Sequence, residues 1–243
     1  MTIKILQSKI EINQARRTLR QRGLSCLSLW SACPFAQRAR VKLGLTKSVA
    51  VGDYIKSWDI LTSVEFLQKH VPPSAPVLDL GAYASEILCV LQRLGYTALT
   101  GADLNPNLPN MPQADRIHYE VTNFLHTPFA AESFQAITAI SVIEHGFQSQ
   151  PLLREVTRLL RPRGYFIASF DYWPDKIDTA EINIFGMDWR IFSKAEMLSF
   201  FNEAAPYGLT PVGPLNFEAQ TPVMLWSRKR YTFAWLVLQK RCP

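Results

Sequence analysis

From residue 76 onward, short apolar runs alternate with amphipathic stretches, and this alternation limits the fold more than any other feature of the chain. The runs at 77–80, 97–102, 117–121, 136–141, 164–170 and 231–239 read as strands, and 84–94, 150–160 and 194–204 read as helices. Such alternation predicts an α/β fold, a doubly wound, mostly parallel sheet covered by helices on both faces. Sheets of this kind bind ligands beyond the carboxyl ends of their strands, where strand order reverses. The stretch "VLDLGAYAS", from residue 77, is therefore the predicted site.

Upstream, residues 9–22 carry Ile10, Ile12, Ala15 and Leu19 at roughly helical spacing. A second helix is predicted over 57–71, with Ile60, Leu61, Val64, Leu67 and Val71 on its apolar face, Phe66 off it, and "PPSAP" closing it. This divides the chain into an N-terminal helical extension or cap, residues 1–71, and a main domain, residues 72–243. The net charge of +6 is concentrated early, in Arg16, Arg17, Arg20, Arg22, Arg38, Arg40, Lys42 and Lys47. Such a patch suits nucleic acid or another anionic surface, or simply a solvated helix face. Apolar runs such as "FAWLVL" fall far short of the roughly 20 residues that span a bilayer. Lys4, Lys9 and Glu11 stand where a secretory leader needs apolar residues. Cys26, Cys33, Cys89 and Cys242 show no metal or disulfide spacing. A reduced, cytoplasmic protein without a metal site is expected.

Asp79 and Gly81 close the first strand, and Asp103 closes the second. A carboxylate at that second tip has two oxygens to offer the hydroxyls of a ribose. A dinucleotide fingerprint starting at Gly81 needs glycine at 83 and 86, where this chain has Tyr83 and Glu86. An acid in the first helical turn repels a pyrophosphate. S-adenosylmethionine carries no phosphate, and its ammonium, sulfonium and ribose diol suit acidic and aromatic surroundings.

The stretches "VLDLGAYAS", "LTGADLNP", "FAAESFQAITAISVIEHG" and "LLREVTRLLRPRGYFIASF" resemble, in order and spacing, the motifs of class I S-adenosylmethionine-dependent methyltransferases of the small-molecule, methyltransferase type 11-like kind. The resemblance covers residues 75–170 well, and "YTFAWLVLQK" is similar to the family's final antiparallel strand. It implies a Rossmann-like sheet of seven strands. It also implies Asp79 and Gly81, with Ala82 and Tyr83, along the methionine part of the cofactor. Asp103 matches the ribose acid, Leu104 and the pair Asn123–Phe124 border the adenine, and Ser141 and Val142 form the floor. Tyr83 and Ser85 depart from the family's second and third glycines, and Gln135 from a common aspartate.

A sulfonium methyl group is already activated, so alignment of the nucleophile and exclusion of water dominate the chemistry. His145, with Glu144 beside it, is the candidate base for a protic small-molecule acceptor; the alternative is that the two residues only order the loop. Asp171, Tyr172 and Trp173 in "FDYWPD", the segment "GMDWRIFS", and "GDYIKSWD" with Trp58 are candidate walls of the acceptor pocket. Two other functions compete: a non-catalytic binding protein of this fold, and a nucleic-acid methyltransferase using the basic N-terminal segment. Nucleic acid is disfavoured because "SVIEHG" stands where amino-directed base methyltransferases carry an "NPPY"-type loop. Neither the acceptor nor the oligomeric state is legible.

Overall fold

The computed structural model of the chain describes residues 3–27 and 49–242. Its elements in chain order are β1 (Ile3–Ile5), α1 (Lys9–Gln21), α2 (Ser57–His70), β2 (Val77–Leu80), α3 (Ile87–Arg93), β3 (Leu99–Asp103), β4 (Ile117–Val121), β5 (Phe134–Ile140), α4 (Ser149–Leu159), β6 (Leu160–Tyr172), β7 (Asn183–Ile184), β8 (Met187–Asp188), α5 (Lys194–Ala204), β9 (Leu209–Pro211), β10 (Met224–Trp226) and β11 (Lys229–Lys240).

The main sheet follows the order β1-β11-β6-β5-β2-β3-β4. β2 is parallel to both β3 and β5, so strand order reverses there, and β11 runs antiparallel to β6. The α/β, mostly parallel architecture is the expected one, but the seven-strand path includes β1, and β9 and β10 bring the sheet to nine strands among the described residues. The edge of β11 is shared by strands distant in sequence: β1 pairs with Ala234–Leu236 and β9 with Leu238–Lys240. Neither β1 nor β9 was expected from the sequence, since three residues are too few to display a period.

Alternation along the strands sorts side chains into two cores. Val77, Ala136, Ile167 and Trp235 face the side covered by α1, α2 and α3, whereas Leu78, Ile137, Ala168 and Leu236 face α4 and α5. By the same period Asp79, Thr138, Ser169 and Asp171 point toward α2, and all four are buried. These polar positions lie on the face beneath the cleft described below.

Two sequence expectations shift. On α1 the buried stripe is Ile12, Ala15, Arg16 and Leu19, while Ile10 is 64% exposed. Positions 12, 15, 16 and 19 keep the i, i+3, i+4, i+7 spacing, and residue 10 lies on the opposite side. The helix expected at 84 begins at Ile87, because Ala84 adopts φ +60°, which a right-handed helix excludes. Phe66 is half-buried, and its ring meets Tyr165 edge-on at 5.2 Å.

Cys26, Cys89 and Cys242 are unbridged, and Cys33 lies outside the described residues. The Cys26 thiol donates to the Leu24 carbonyl at 3.4 Å, and the neighbouring Cys89 thiol together with burial pushes its pKa up. Among the described residues no helix is long and apolar enough to cross a membrane.

Candidate active site

A cleft of about 1000 Å³ opens over the tips of β2, β3 and β5. Gly81 turns the chain at φ +72°, and a Cβ there would stand 2.1 Å from Val142 Cγ2. Only glycine lets the β2 turn lie against the β5 tip. Asp103 fixes the same turn from the next strand: Tyr83 N–H donates to its Oδ2 at 2.9 Å and Asn105 N–H to its Oδ1 at 2.8 Å. Each carboxylate oxygen keeps a further lone pair, and the residue borders the cleft. Tyr83, where a glycine was expected, thus serves the turn through its backbone.

Asp79 does not line the cleft; it lies fully buried beneath the turn. Its Oδ1 accepts from Thr138 Oγ1 at 2.6 Å and its Oδ2 has no partner. Burial pushes this carboxyl up to about 7, against the Thr138 and Ser85 hydroxyls, which lower it. Glu86, which the sequence set against a phosphate, points elsewhere. It is buried against Arg16, with Nη2 donating to Oε1 at 2.6 Å and Nη1 to Oε2 at 3.2 Å. Arg16 also donates to Ser57 Oγ and Ser25 Oγ, so α1, the start of α2 and the cleft turn share one cation. Arg16 therefore does not belong to a basic surface patch. Arg38, Arg40, Lys42 and Lys47 lie outside the described residues.

Of the other sequence-predicted residues, Leu104, Phe124, Ser141, Val142 and His145 line the cleft. Ala82 is buried behind the turn, and Glu144 is buried under Ser141. Asn123 is exposed, its oxygen accepting from Leu125 N–H within its own loop. Trp58 and Tyr172 are core residues, and Trp173 packs half-buried against the core.

The far half of the cleft is aromatic: Trp189, Trp226, Tyr231, Phe233 and Phe185. Trp189 meets Trp226 edge-on at 4.9 Å and Tyr231 at 5.5 Å. A polar cluster lies in its inner wall. Lys56 Nζ stands 3.7 Å over the Phe233 ring and donates to Ser141 Oγ at 2.5 Å, and Ser141 in turn donates to Glu144 Oε1. Asp171 Oδ2 accepts from Trp189 Nε1 at 2.7 Å, and Asp59 Oδ2 accepts from Ser169 Oγ at 2.8 Å. Burial pushes Asp59 up to about 6, and Glu144 and Asp171 each up to about 7, while the Lys56 ammonium pulls all three down. Burial lowers the His145 pKa, so this imidazole is neutral at pH 7. Its Nδ1, together with Glu144 Oε2 and Asp59 Oδ1, has no partner.

Sequence reasoning placed "GDYIKSWD" at the pocket but singled out Trp58 in it, not Lys56 or Asp59. The available signal was polar: Asp59 and Ser63, four residues apart, share the buried face of α2 with Ile60, Val64 and Leu67. Among the described residues no group of three or more His, Cys, Asp or Glu side chains is placed to hold a metal ion.

Comparison with known proteins agrees with this architecture. A family model described as "Methyltransferase domain" matches residues 78–168. The curated "Methyltransferase GfsG" of Streptomyces halstedii is 28% identical over 96 residues, a match covering 36% of this chain and 34% of that protein. The chain thus spans about a third of that relative's length. A solved S-adenosylmethionine-dependent methyltransferase from Methanosarcina mazei superposes with a TM-score of 0.57 at 13% identity, over 73% of this chain and 98% of that one. Geranyl diphosphate C-methyltransferase from Streptomyces coelicolor A3(2), solved with Mg2+, geranyl diphosphate and S-adenosyl-L-homocysteine, gives 0.55 at 13% identity over 75% and 82% of the two chains. At such identities the shared property is the fold.

Proposed function

We propose, proceeding from the class I S-adenosylmethionine-dependent methyltransferase domain that residues 78–168 form, that this chain transfers a methyl group from S-adenosylmethionine to a small, largely apolar acceptor with a protic reacting group. The observation that carries the reading is the two-ended cleft, with Gly81 and Asp103 at one end and His145 and Asp171 among aromatics at the other. Its volume of about 1000 Å³ is at the upper end for ligand pockets, in keeping with a cofactor and an acceptor side by side. Within residues 1–71, the stretch from Gly52 to Ile60 caps the 72–243 domain, since Gly52, Asp53, Ile55, Lys56 and Ile60 contribute to the cleft wall; β1 is not part of the cap, because it pairs with β11 in the main sheet.

The residues fit the cofactor. The cradle at Gly81 admits no Cβ, and Asp103 at the cleft rim retains lone pairs for a ribose diol. Phe124 and Leu104 offer apolar surface to an adenine. When bound, S-adenosylmethionine supplies an activated methyl carbon whose bond to sulfur breaks as the acceptor's lone pair attacks, sulfur keeping the electron pair. The aromatic half orients the acceptor and excludes water. The acceptor's proton passes to the His145 imidazole, which borders the cleft and is held neutral by burial, or to Asp171, whose carboxyl titrates near neutrality.

Calorimetry with S-adenosylhomocysteine tests the cofactor half. The native chain is expected to bind, and Asp103→Ala to bind about tenfold to a hundredfold more weakly, the worth of charge-assisted hydrogen bonds. No heat with the native chain refutes the reading. For the acceptor half, labelled methyl transfer to a panel of lipophilic alcohols, phenols and amines identifies the substrate. His145→Ala should then lower kcat about tenfold to a hundredfold, the low end for general bases because the methyl is already activated.

A further inference from the structure

Two hairpins flank the mouth of the cleft, and both expose large apolar side chains at their tips. In the β7–β8 hairpin, Phe185 and Gly186 form the turn with φ +56° and +78°. Two positive φ values mark a type I′ turn, which favours asparagine, aspartate or glycine. A bulky aromatic there is strained, yet Phe185 is 85% exposed; nothing in the core requires it. In the β10–β11 hairpin the turn is Ser227–Arg228, with Leu225 66% and Trp226 45% exposed just before it, and Arg228 and Arg230 exposed beside them. Phe185 and Trp226 both line the cleft, and they are joined through neighbours: Phe185 meets His145, His145 bridges Trp189, and Trp189 meets Trp226.

We infer that these two tips form an interfacial anchor that seats the cleft mouth on an anionic lipid surface. Phe185, Leu225 and Trp226 enter the boundary between headgroups and acyl chains, and Arg228 and Arg230 pair with lipid phosphates. Local strain retained at an exposed aromatic marks a position kept for contact rather than for folding. Isolated apolar tips backed by cations match a bilayer better than a protein, which needs roughly 800 Å² of continuous surface per partner. Joined to the reading above, on which this clause alone rests, the anchor lets a lipophilic acceptor pass from the bilayer into the aromatic half of the cleft without crossing water.

The test is flotation with vesicles of phosphatidylcholine, with and without phosphatidylglycerol, in the absence of cofactor. The native chain should float with the anionic vesicles, and less so at high salt. Arg228→Gln and Arg230→Gln should each lower partitioning about fivefold. Leu225→Ser should lower it about tenfold, and none of these three side chains lines the cleft. Phe185→Asn should lose vesicle binding while raising the melting temperature, because asparagine relaxes the turn. Native protein that stays unbound, or variants that float like the native chain, overturn the inference. Salt-sensitive binding to poly-glutamate with no flotation overturns it in favour of an acidic protein partner. S-adenosylhomocysteine calorimetry on Arg228→Gln, Arg230→Gln and Leu225→Ser, whose side chains lie outside the cleft lining, should be unchanged, so failure here is distinct from failure of the cofactor reading.

Discussion

Replacing Glu86 with alanine is expected to destabilise the fold by about 3–5 kcal/mol, the usual consequence of stranding one member of a buried ion pair. For a chain of this size that lowers the melting temperature by roughly 10 °C. Arg16 is nearly inaccessible, and apart from the two Glu86 oxygens it meets only neutral oxygens, including the Ser57 and Ser25 hydroxyls and the Asp53 carbonyl. Without Glu86 the guanidinium remains buried and uncompensated. Arg16→Met should cost about as much, for the converse reason. The double change Arg16→Met with Glu86→Leu should recover most of the loss, since apolar replacement of a buried pair is often neutral. Thermal unfolding followed by circular dichroism measures all three. Single variants melting within about 2 °C of the native chain would show that the pair carries no such weight. Gly52 adds a constraint: its N–H donates to Ala84 O at 2.8 Å, and a Cβ there would sit 2.9 Å from Glu86 Oε2. Loosening this contact therefore reaches the cofactor turn as well as the cap.

The second large effect concerns pH. Asp59, Asp79, Glu144 and Asp171 all have carboxyl pKa values raised by burial, to about 6 for Asp59 and about 7 for the others. In the unfolded chain such groups lose their protons near pH 4. Between about pH 4 and 7 the native state therefore binds more protons than the unfolded state, and stability falls as pH rises. His145 and His70, both lowered by burial, oppose this near pH 6, since each gains stability as pH rises. The four acids outweigh the two imidazoles, and a net loss of stability between pH 5 and 8 is expected. Urea unfolding at a series of pH values reads it directly. Asp171→Asn should flatten the slope and raise stability at pH 8. Lys56→Met should steepen it, because the ammonium that pulls three of these acids down is gone. A stability curve that is level or climbs from pH 5 to 8 contradicts the buried cluster.

How much of this was legible depends on how far the cause lies from the effect along the chain. The strands from Val77 to Tyr172 could be read because each repeats its apolar pattern locally, and Asp103 because its place at a strand tip follows from that pattern. Glu86 was read as an obstacle to phosphate, yet its partner Arg16 is 70 residues away, and no periodicity links them. Of the inner wall, Ser141, Glu144 and Asp171 were legible from their places at and just beyond strand ends, but Lys56, which joins Ser141 only once the segment leading into α2 lies across the tips of β5 and β6, was not. The two-residue strands of the β7–β8 hairpin gave no signal at all, although "FG" at its turn sets up the left-handed pair.

The shared edge of β11 has a consequence for how the molecule comes into being. Thr232 Oγ1 donates to the carbonyl of Leu6, 226 residues away, and among the described residues β1 pairs in the sheet with β11 alone. A nascent chain leaving the ribosome therefore holds Ile3, Ile5 and Leu6 unmatched until β11 has been made, and the sheet closes only after translation has passed residue 240.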